Sequence, residues 1–298
     1  MSGAWHTPDI VLIGHATRDL TPDGWLLGGT VTYAGIAAER LGMRVGILTS
    51  GPADVIAALR EALPAAAIVA RPAPSALTFE NIYEGPIRRQ FLRGQAADLT
   101  PADLPEAWRA APVALLAPLA QEVEPSLAAT FPHALVAATP QGWLRRWDER
   151  GVVRPCVFTV ADHIFPHLRA LILSREDVMA REGVEVEDGV PRTPAEADAC
   201  IAGWARVVPL VAVTRGSEGA LLYVDGAAPE TFPGYAAQEV DPTGAGDVFA
   251  AAFLCHLHAS GNPREAADFA NRVAACSVEK IGFASIPTRA EVVDRFGV

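Results

Sequence analysis

Near its C-terminal end the chain carries the stretch Asp241-Pro242-Thr243-Gly244-Ala245-Gly246-Asp247. A short predicted strand precedes this stretch, and an apolar run from Val248 to His258 follows it and predicts a helix. Pro242 cannot continue a strand ladder, and the two glycines let the backbone turn tightly and approach a ligand closely. Because the N–H groups at the start of a helix have no intrahelical partner and the helix dipole is positive there, this turn predicts an anion site.

Asp247 stands at the rim of the predicted anion site, where a carboxylate can accept the proton of a hydroxyl nucleophile. The alternative is a plain strand-to-helix turn in which Asp247 only caps the helix. Two acids and a threonine at fixed spacing from the glycines favour the ligand site over the plain turn.

Composition limits the class of protein. The 298 residues are half hydrophobic, enough to bury the core of one α/β domain, with or without a small appendage. A formal net charge of −11 argues against nucleic acid as a partner. The four cysteines lie far apart, so neither a zinc site nor a disulfide framework is expected. The only lysine, Lys280, follows Val-Glu rather than glycine, which excludes a P-loop.

The location of the protein is predicted from two further patterns. The first residues lack the basic and apolar regions of a signal peptide. No apolar run reaches the roughly eighteen residues that a membrane span needs. We therefore expect a cytoplasmic protein with no membrane partner.

Apolar runs and helical segments alternate along the chain. Strands are predicted from Asp9 to Gly14 and at residues 43–49, 113–116, 134–138, 155–160, 170–173, 209–214 and 220–224. This alternation predicts a mostly parallel sheet with helices on both faces. Residues 75–93 instead alternate polar and apolar side chains around Glu-Gly-Pro, which predicts a β-hairpin that stands outside the main sheet as a flap.

The stretch 241–247 resembles the C-terminal signature of the ribokinase-like (PfkB-type) family of sugar and nucleoside kinases, and the resemblance extends from about residue 10 to residue 287. It implies a three-layer, doubly wound α/β fold with a mostly parallel sheet and a small β-hairpin lid. The whole chain, 1–298, would form one domain, with the lid built from about 15–30 and 75–95. The resemblance implies that Asp247 is the catalytic base and that the amides of Gly244, Ala245 and Gly246 form the anion hole.

The same resemblance implies an acceptor site near the first strand. The family has an acid after that strand and a Gly-Gly motif that hold sugar hydroxyls, and Asp19 and Gly28-Gly29 match them. From the residues alone, a loop followed by a helix start is an equal alternative. Tyr33 stands where the family often has Asn, which argues against a simple furanose substrate. The predicted acceptor-binding residues are Asp19, Gly28, Gly29, Thr30, Arg89 and Gln141.

Further positions match the donor side of the family's site. Thr214, Gly216 and Gly219 resemble its nucleotide loop, although a β-turn would read the same way. Asn271 matches an Asn near the adenine, or is a buried helical Asn that satisfies its neighbours. Ser174 and Asp177 stand where members often have Asn-x-x-Glu, which orders the metal and phosphates. The resemblance implies ATP and Mg²⁺ and leaves open whether a monovalent cation such as K⁺ binds near Asp241, Thr243 and Ser285.

The sequence thus predicts an ATP-dependent kinase that transfers the γ-phosphoryl group to a hydroxyl of a small polyol, a sugar or cyclitol. Within the family, segments such as Gly28-Gly29-Thr30 with Tyr33 and residues 141–145 resemble myo-inositol kinases, although Thr139 replaces an acid there. A nucleoside kinase and a catalytically weak ligand sensor on the same scaffold are the alternatives. The patterns of a dinucleotide-dependent dehydrogenase and of a serine hydrolase are absent from the sequence. The acceptor, its reacting hydroxyl and the choice between monomer and homodimer stay open.

Overall fold

The computed structural model describes residues 6–84, 87–180 and 186–297, and for residues 83, 84, 87 and 88 only the backbone. The strands in these ranges are β1 (Ile10–Ile13), β2 (Thr17–Thr21), β3 (Gly24–Gly28), β4 (Val45–Gly51), β5 (Ala67–Pro72), β6 (Leu77–Glu84), β7 (Ile87–Gly94), β8 (Val113–Leu116), β9 (Leu135–Ala138), β10 (Arg145–Trp147), β11 (Val153–Pro155), β12 (Ala170–Ser174), β13 (Leu210–Thr214), β14 (Ala220–Val224) and β15 (Glu230–Phe232).

The helices are α1 (Thr30–Arg40), α2 (Ala53–Ala62), α3 (Ala161–Ile164), α4 (Arg175–Val178), α5 (Pro194–Trp204), α6 (Ala245–Ser260), α7 (Pro263–Ser277) and α8 (Arg289–Phe296). Short 3₁₀ turns connect several strands. Within these ranges, no helix combines the length and the apolar character that a membrane span requires.

The main sheet contains nine of the described strands, in the order β15-β14-β13-β12-β9-β8-β1-β4-β5. The pairs from β13 to β5 are parallel, and the β13–β14 and β14–β15 pairs are antiparallel. β1 lies between β4 and β8, and Ile10 is in register with Val45 on one side and Val113 on the other. The mostly parallel sheet predicted from the continuous apolar runs is confirmed.

Helices cover both faces of this sheet, so the fold has three layers. Alternate residues of β1 belong to different cores: Leu12 lies in the core to which α1, α6 and α7 contribute, and Ile13 lies in the core to which α5 contributes. Both residues are fully buried. This two-sided burial is why the parallel strands read as unbroken apolar runs.

A second, smaller sheet stands apart and has the order β3-β2-β6-β7. β6 and β7 form the predicted hairpin, and β2 joins it by parallel pairing along β6. This sheet is larger than the hairpin predicted from the alternation at 75–93, because β2 and β3 contribute a second antiparallel pair. The predicted turn at residues 85 and 86 lies outside the described residues.

One predicted strand, residues 155–160, is wrong. β11 ends at Pro155 and pairs only with β10. Beyond it the backbone forms other hydrogen bonds: the Val157 N–H donates to Glu187 Oε1 (2.9 Å) and the Thr159 N–H donates to the Val157 carbonyl (2.9 Å). These contacts replace the ladder that the apolar residues suggested.

A buried carboxylate organises the point where the chain leaves the main sheet for the small one. Glu122 is 4% exposed and accepts the N–H groups of Leu119 (2.9 Å) and Ala120 (2.6 Å). It also lies 3.4 Å from the N–H of His15, which follows β1. Since a buried charge must be paired or hydrogen-bonded, these amides are what keep Glu122 in place.

We expect Glu122→Gln to destabilise the protein by about 1–3 kcal/mol, because an amide NH₂ group would face backbone donors and leave one of them without an acceptor. Urea denaturation followed by circular dichroism measures this change. Glu124→Gln, at an exposed neighbouring position, is the matched control and should change stability by less than about 0.5 kcal/mol. Equal midpoints for the two variants would contradict the role of Glu122.

Candidate functional site

The start of α6 carries unpaired amide groups. Gly244 is the N-cap residue with φ of 76°, in the left-handed region, and no side chain caps the helix. The Ala245 N–H donates to the Pro242 carbonyl (3.2 Å), so one of the three predicted amides is partly used within the turn. Gly246 is exposed, and a Cβ there would meet nothing within 4 Å. The first turn of α6 therefore has no side-chain cap and an exposed second residue, which suits an anion, and the anion site expected there stays a prediction.

Two features require a glycine at position 244: the positive φ of its backbone and the closeness of the Tyr33 ring. A Cβ at this position would lie 2.2 Å from a ring atom of Tyr33 on α1. A side chain here would both strain the backbone and displace the ring. The glycine thus lets α1 pack directly against the turn.

Asp247, half-buried one turn into α6, accepts a hydrogen bond from the Thr30 hydroxyl. Burial raises the pKa of Asp247 to about 7, and the negative charge of Asp177 acts in the same direction. The Thr30 hydrogen bond and the Arg145 guanidinium oppose this shift. A carboxyl group with a pKa near neutrality is suited to accept a proton during a reaction.

Four of the six predicted acceptor residues, Asp19, Gly28, Gly29 and Thr30, lie where the small sheet meets α1. The Thr17 hydroxyl donates to Asp19 Oδ1 (3.1 Å). A Cβ on Gly28 would lie 2.3 Å from Asp19 Oδ2. Gly29, with φ of 94°, is the N-cap of α1, and a Cβ there would lie 2.5 Å from the His15 carbonyl oxygen. The next residue, Thr30, bonds to Asp247, so residues 28–30 connect the surroundings of Asp19 to those of Asp247.

Three residues predicted for different roles form one hydrogen-bonded group. Gln141 Nε2 donates to Asp177 Oδ1 (2.8 Å), while the N–H and hydroxyl of Ser174 donate to Asp177 Oδ2 (2.8 and 3.0 Å). The Ser174 and Asp177 contacts form the capping box of α4. Gln141 therefore orients Asp177 in this structure, and the charge of Asp177 raises the pKa of Asp247.

The predicted nucleotide residues form a second group, at the end of β13. Thr214 is in register with Ser174, which joins this group to the first. Gly216 and Gly219 both have positive φ, and a Cβ on Gly219 would lie 2.2 Å from the Phe232 carbonyl oxygen. Asn271 is buried, and its Nδ2 donates to the carbonyls of Phe232 (3.0 Å) and Pro233 (3.2 Å). These bonds agree with the alternative that Asn271 satisfies its neighbours.

The residues predicted for a monovalent cation tie two loops together. The Asp241 carboxylate accepts the N–H groups of Thr243 and Gly282, both at 3.0 Å. The Ser285 hydroxyl donates to the Ser277 carbonyl (2.7 Å) and accepts the Lys280 N–H (3.1 Å). Among the described residues, no group of three or more His, Cys, Asp or Glu could hold a metal ion.

The sequence predicted Arg89 as a site residue, but not Arg145 or Tyr33. Arg89, predicted for the acceptor, is exposed on β7 opposite Ile82, in the small sheet. Arg145 and Tyr33 were not predicted as site residues, although both lie within segments that matched the family. The charge of Arg145 lowers the pKa of Asp247, and its guanidinium lies over the Phe79 ring of β6, 6.0 Å from the ring centroid. The available signal for Arg145 is its place in the sequence. It is a cation that directly follows residues 141–144, and that segment comes after the predicted strand 134–138, at whose carboxyl end an open α/β sheet places ligands.

Comparisons with known proteins bear on the family and the fold of the chain. The profile of the pfkB family carbohydrate kinases matches residues 91–289, more than half of the chain. A cytidine kinase from Thermococcus kodakarensis is 27% identical over 275 residues, which are 86% of this chain and 91% of that kinase.

Solved structures show the same fold. A pyrophosphate-dependent kinase in the ribokinase family, complexed with a pyrophosphate analog and myo-inositol, matches with a TM-score of 0.75 at 21% identity, covering 96% of this chain and 99% of that chain. The Arabidopsis thaliana ribokinase complexed with ribose and ATP matches with a TM-score of 0.72 at 19% identity, covering 97% and 98%. The predicted ribokinase-like fold is confirmed.

The raised pKa of Asp247 has a consequence for stability. The unfolded chain releases this proton near pH 4, while the folded chain holds it up to about pH 7. Between these values the unfolded state binds fewer protons, so Asp247 makes the protein less stable as pH rises. Asp247→Asn removes the titrating carboxyl group and with it this loss of stability with rising pH. We therefore expect its melting temperature to exceed that of the wild type by an amount that grows from pH 4 to pH 7 and then levels off.

Thermal denaturation across this pH range measures the difference. Asp294→Asn, at an exposed position of α8, is the matched control and should show no such trend. A constant difference for Asp247→Asn, or one that shrinks as pH rises, would show that the carboxyl group is not held protonated by burial.

Proposed function

The chain belongs to the pfkB family of carbohydrate kinases and is a phosphotransferase with a hydroxyl acceptor; from this premise we propose that it transfers the γ-phosphoryl group of ATP to a hydroxyl of a sugar or cyclitol. One observation carries the proposal: Asp247, with a pKa near 7, lies in the first turn of a helix whose start has no side-chain cap. A proton acceptor and an anion site thus adjoin each other.

We propose a cyclitol such as myo-inositol as the preferred acceptor. The support is the fold similarity to a kinase complexed with myo-inositol, together with the segments that resemble myo-inositol kinases. A nucleoside is the second candidate, because the Thermococcus kodakarensis relative, which matches this chain over 91% of its own length, is a cytidine kinase. Free sugars such as ribose are the third candidate, because the fold also matches a ribokinase complexed with ribose and ATP.

In the proposed reaction, the acceptor hydroxyl lies between Asp19 and Asp247. Asp19 accepts hydrogen bonds from neighbouring hydroxyls, and Asp247 accepts the proton of the hydroxyl that attacks. The bond from the acceptor oxygen to the γ-phosphorus forms as the bond to the β,γ-bridging oxygen breaks, and ADP leaves. Since the transition state is loose, alignment and charge neutralisation supply most of the rate increase.

The start of α6 and Arg145 neutralise the charge that develops on the transferred group. The free amides of the first turn of α6 point toward the γ-phosphate, and Gly244 in the left-handed region sets their direction. Arg145 lies close enough to lower the pKa of Asp247 and, in the proposed reaction, contacts the phosphate oxygens opposite the amides.

The residues present fit Mg²⁺ bound mainly by phosphate oxygens and water. Asp177 is the carboxylate that would hold it, and three of its roughly four acceptor positions already take hydrogen bonds from Gln141 and Ser174. With no cluster of metal-binding side chains in the described ranges, Asp177 would act through a water ligand. When bound, Mg²⁺ would lower the repulsion between the donor phosphates and the carboxylates.

The remaining predicted residues complete the proposal. Thr214, Gly216 and Gly219 line the nucleotide, and Asn271 shapes that surface through residues 232–233. A monovalent cation would lie among the backbone carbonyls near Asp241, Thr243 and Ser285. The small sheet closes over the acceptor as a lid and brings Arg89 toward it, which excludes water and prevents hydrolysis of ATP.

A matrix of donors and acceptors tests the proposal. ATP and pyrophosphate are each supplied with myo-inositol, ribose, fructose and cytidine, and the phosphorylated products are detected by mass spectrometry. We expect ATP with myo-inositol to give the highest kcat/KM. Binding of these compounds without any phosphorylated product would identify a ligand sensor on the kinase scaffold instead.

We expect Asp247→Asn to lower kcat by about 10²–10⁴-fold, because an amide cannot accept the proton of the acceptor hydroxyl. The affinity for a non-hydrolysable ATP analogue, measured by calorimetry, should stay within about twofold of the wild type since the amides of α6 are unchanged. Asp294→Asn is again the matched control. Near-normal turnover of Asp247→Asn would remove this residue as the base.

The pH dependence of kcat/KM tests Arg145 separately. In the wild type we expect kcat/KM to rise with pH through about 7, as Asp247 loses its proton. Because the Arg145 charge lowers the pKa of Asp247, Arg145→Gln should move this rise to higher pH and lower the plateau at least about tenfold. Arg146→Gln is the matched control, since exposed Arg146 pairs with Glu187 (2.6 Å). An unshifted profile for Arg145→Gln would contradict the assignment.

A further inference from the structure

Gln121 has an unusual backbone conformation in the loop that follows β8. Its φ is 64°, and among the described residues only one other residue that is not glycine, Asp225, has a positive φ. Glutamine is not among the residues that favour this left-handed region, so the conformation has a cost. Residues held in this way persist where the surrounding structure imposes the conformation, and they cluster at functional sites.

The backbone on both sides of Gln121 is fixed by hydrogen bonds. The N–H groups of Leu119 and Ala120 donate to the Glu122 carboxylate (2.9 and 2.6 Å). The Glu122 carbonyl accepts the Leu99 N–H (2.7 Å). The loop thus turns back on the carboxylate of its own next residue, and Gln121 lies at the point of that turn.

The side chain of Gln121 connects this loop to Arg145. Although Gln121 is exposed, its Nε2 donates to the Arg145 carbonyl (2.6 Å). The guanidinium of Arg145 lies over the Phe79 ring of the small sheet, and its charge lowers the pKa of Asp247. Gln121 therefore holds the main chain of the residue whose cation acts on the candidate base.

The Arg145 carbonyl needs a donor from outside its own sheet. Arg145 begins β10, which forms a two-stranded sheet with β11. The preceding carbonyl, that of Leu144, accepts the Cys156 N–H (2.9 Å) and so points toward β11. Because successive carbonyls of a strand point to opposite sides, the Arg145 carbonyl points away from β11. Gln121 supplies the donor on that side.

We propose that Gln121 is a positioning residue for phosphoryl transfer: its side-chain amide holds the backbone of Arg145 in place and so keeps the guanidinium at the site of Asp247. This inference rests on the proposed function, in which Arg145 contacts the phosphate oxygens. It requires no contact of Gln121 with the substrates.

Two variants separate the hydrogen bond from the backbone conformation. Gln121→Met keeps the length of the side chain and removes the donor, whereas Gln121→Gly also removes the cost of the left-handed conformation. The pH profile of kcat/KM is measured with ATP and myo-inositol, or with the acceptor of the matrix that reacts fastest.

We expect both variants to move the rise near pH 7 to higher pH, because a displaced guanidinium lowers the pKa of Asp247 less. The plateau should fall about threefold to tenfold. Gln121→Gly should nevertheless melt at a higher temperature than Gln121→Met. A merely structural role would make the pH profile follow stability instead.

Two controls accompany these variants. Asp225→Gly relieves the other left-handed residue, which is exposed and donates its N–H to the Pro209 carbonyl (2.7 Å) just before β13. It should leave the pH profile unchanged. The double variant Gln121→Met/Arg145→Gln should match Arg145→Gln alone within about twofold, because the effect of Gln121 passes through Arg145.

A thermal measurement reads the same effect without any substrate. In the wild-type background, the gain in melting temperature from Asp247→Asn should level off near pH 7. With Gln121→Met as the background, it should level off at a higher pH.

An unchanged kinetic profile and an unchanged levelling-off pH for Gln121→Met would overturn the inference. A shift of full size with Arg145→Gln already present would overturn it as well, because the effect would not pass through Arg145. A wild type that is inactive with every donor and acceptor would instead overturn the proposed function. The thermal comparison would then still decide whether Gln121 positions the charge that acts on Asp247.

Discussion

The contact between the first turns of α1 and α6 is the interaction on which the rest of the site depends. It consists of two contacts, Thr30 with Asp247 and Tyr33 with Gly244, each one helical turn from the other. Two contacts on one face fix both the rotation of each helix and its position along its axis. In the proposed reaction, this pairing sets the distance between the acceptor and the transferred phosphoryl group, because Asp19 and Gly28 precede α1 and the proposed anion turn begins α6.

Burial and nearby charges together explain the electrostatics of Asp247. The charge of Asp177 raises the pKa of Asp247, as burial does, whereas Arg145 and the Thr30 hydroxyl lower it. A carboxyl group in such surroundings costs stability at neutral pH, and a fold selected for stability alone would not retain it. The same surroundings keep the pKa close to the pH at which a base must work. In the proposed reaction, the stability lost at neutral pH is offset by a usable proton acceptor.

Patterns that are local in sequence predicted the main sheet and the start of α6, because apolar runs and glycines determine backbone structure over a few residues. The role of Asp247 as the base stays a prediction. Contacts between distant residues could not be predicted. Tyr33 and Gly244 are over two hundred positions apart, and only the fold shows that the tyrosine needs the glycine. The false strand at 155–160 has the same origin, since Glu187 takes the Val157 N–H. For Asn271 the pattern fitted two roles, and its bonds to residues 232 and 233 favour the structural one.

The small sheet is coupled to this pairing through its attachment. His15, where the chain enters the small sheet, lies 3.0 Å through Nε2 from the carbonyl of Ala97, where the chain returns. The Ala97 N–H in turn donates to Ser50 Oγ on β4 (3.2 Å). The His15 carbonyl also faces Gly29 so closely that a Cβ there would lie 2.5 Å away. Since Gly29 is the N-cap of α1, a displacement of this attachment would have to move the start of α1, and with it the Thr30 hydroxyl that binds Asp247. The attachment of the small sheet and the hydrogen-bond partner of Asp247 are thus joined by a continuous series of contacts.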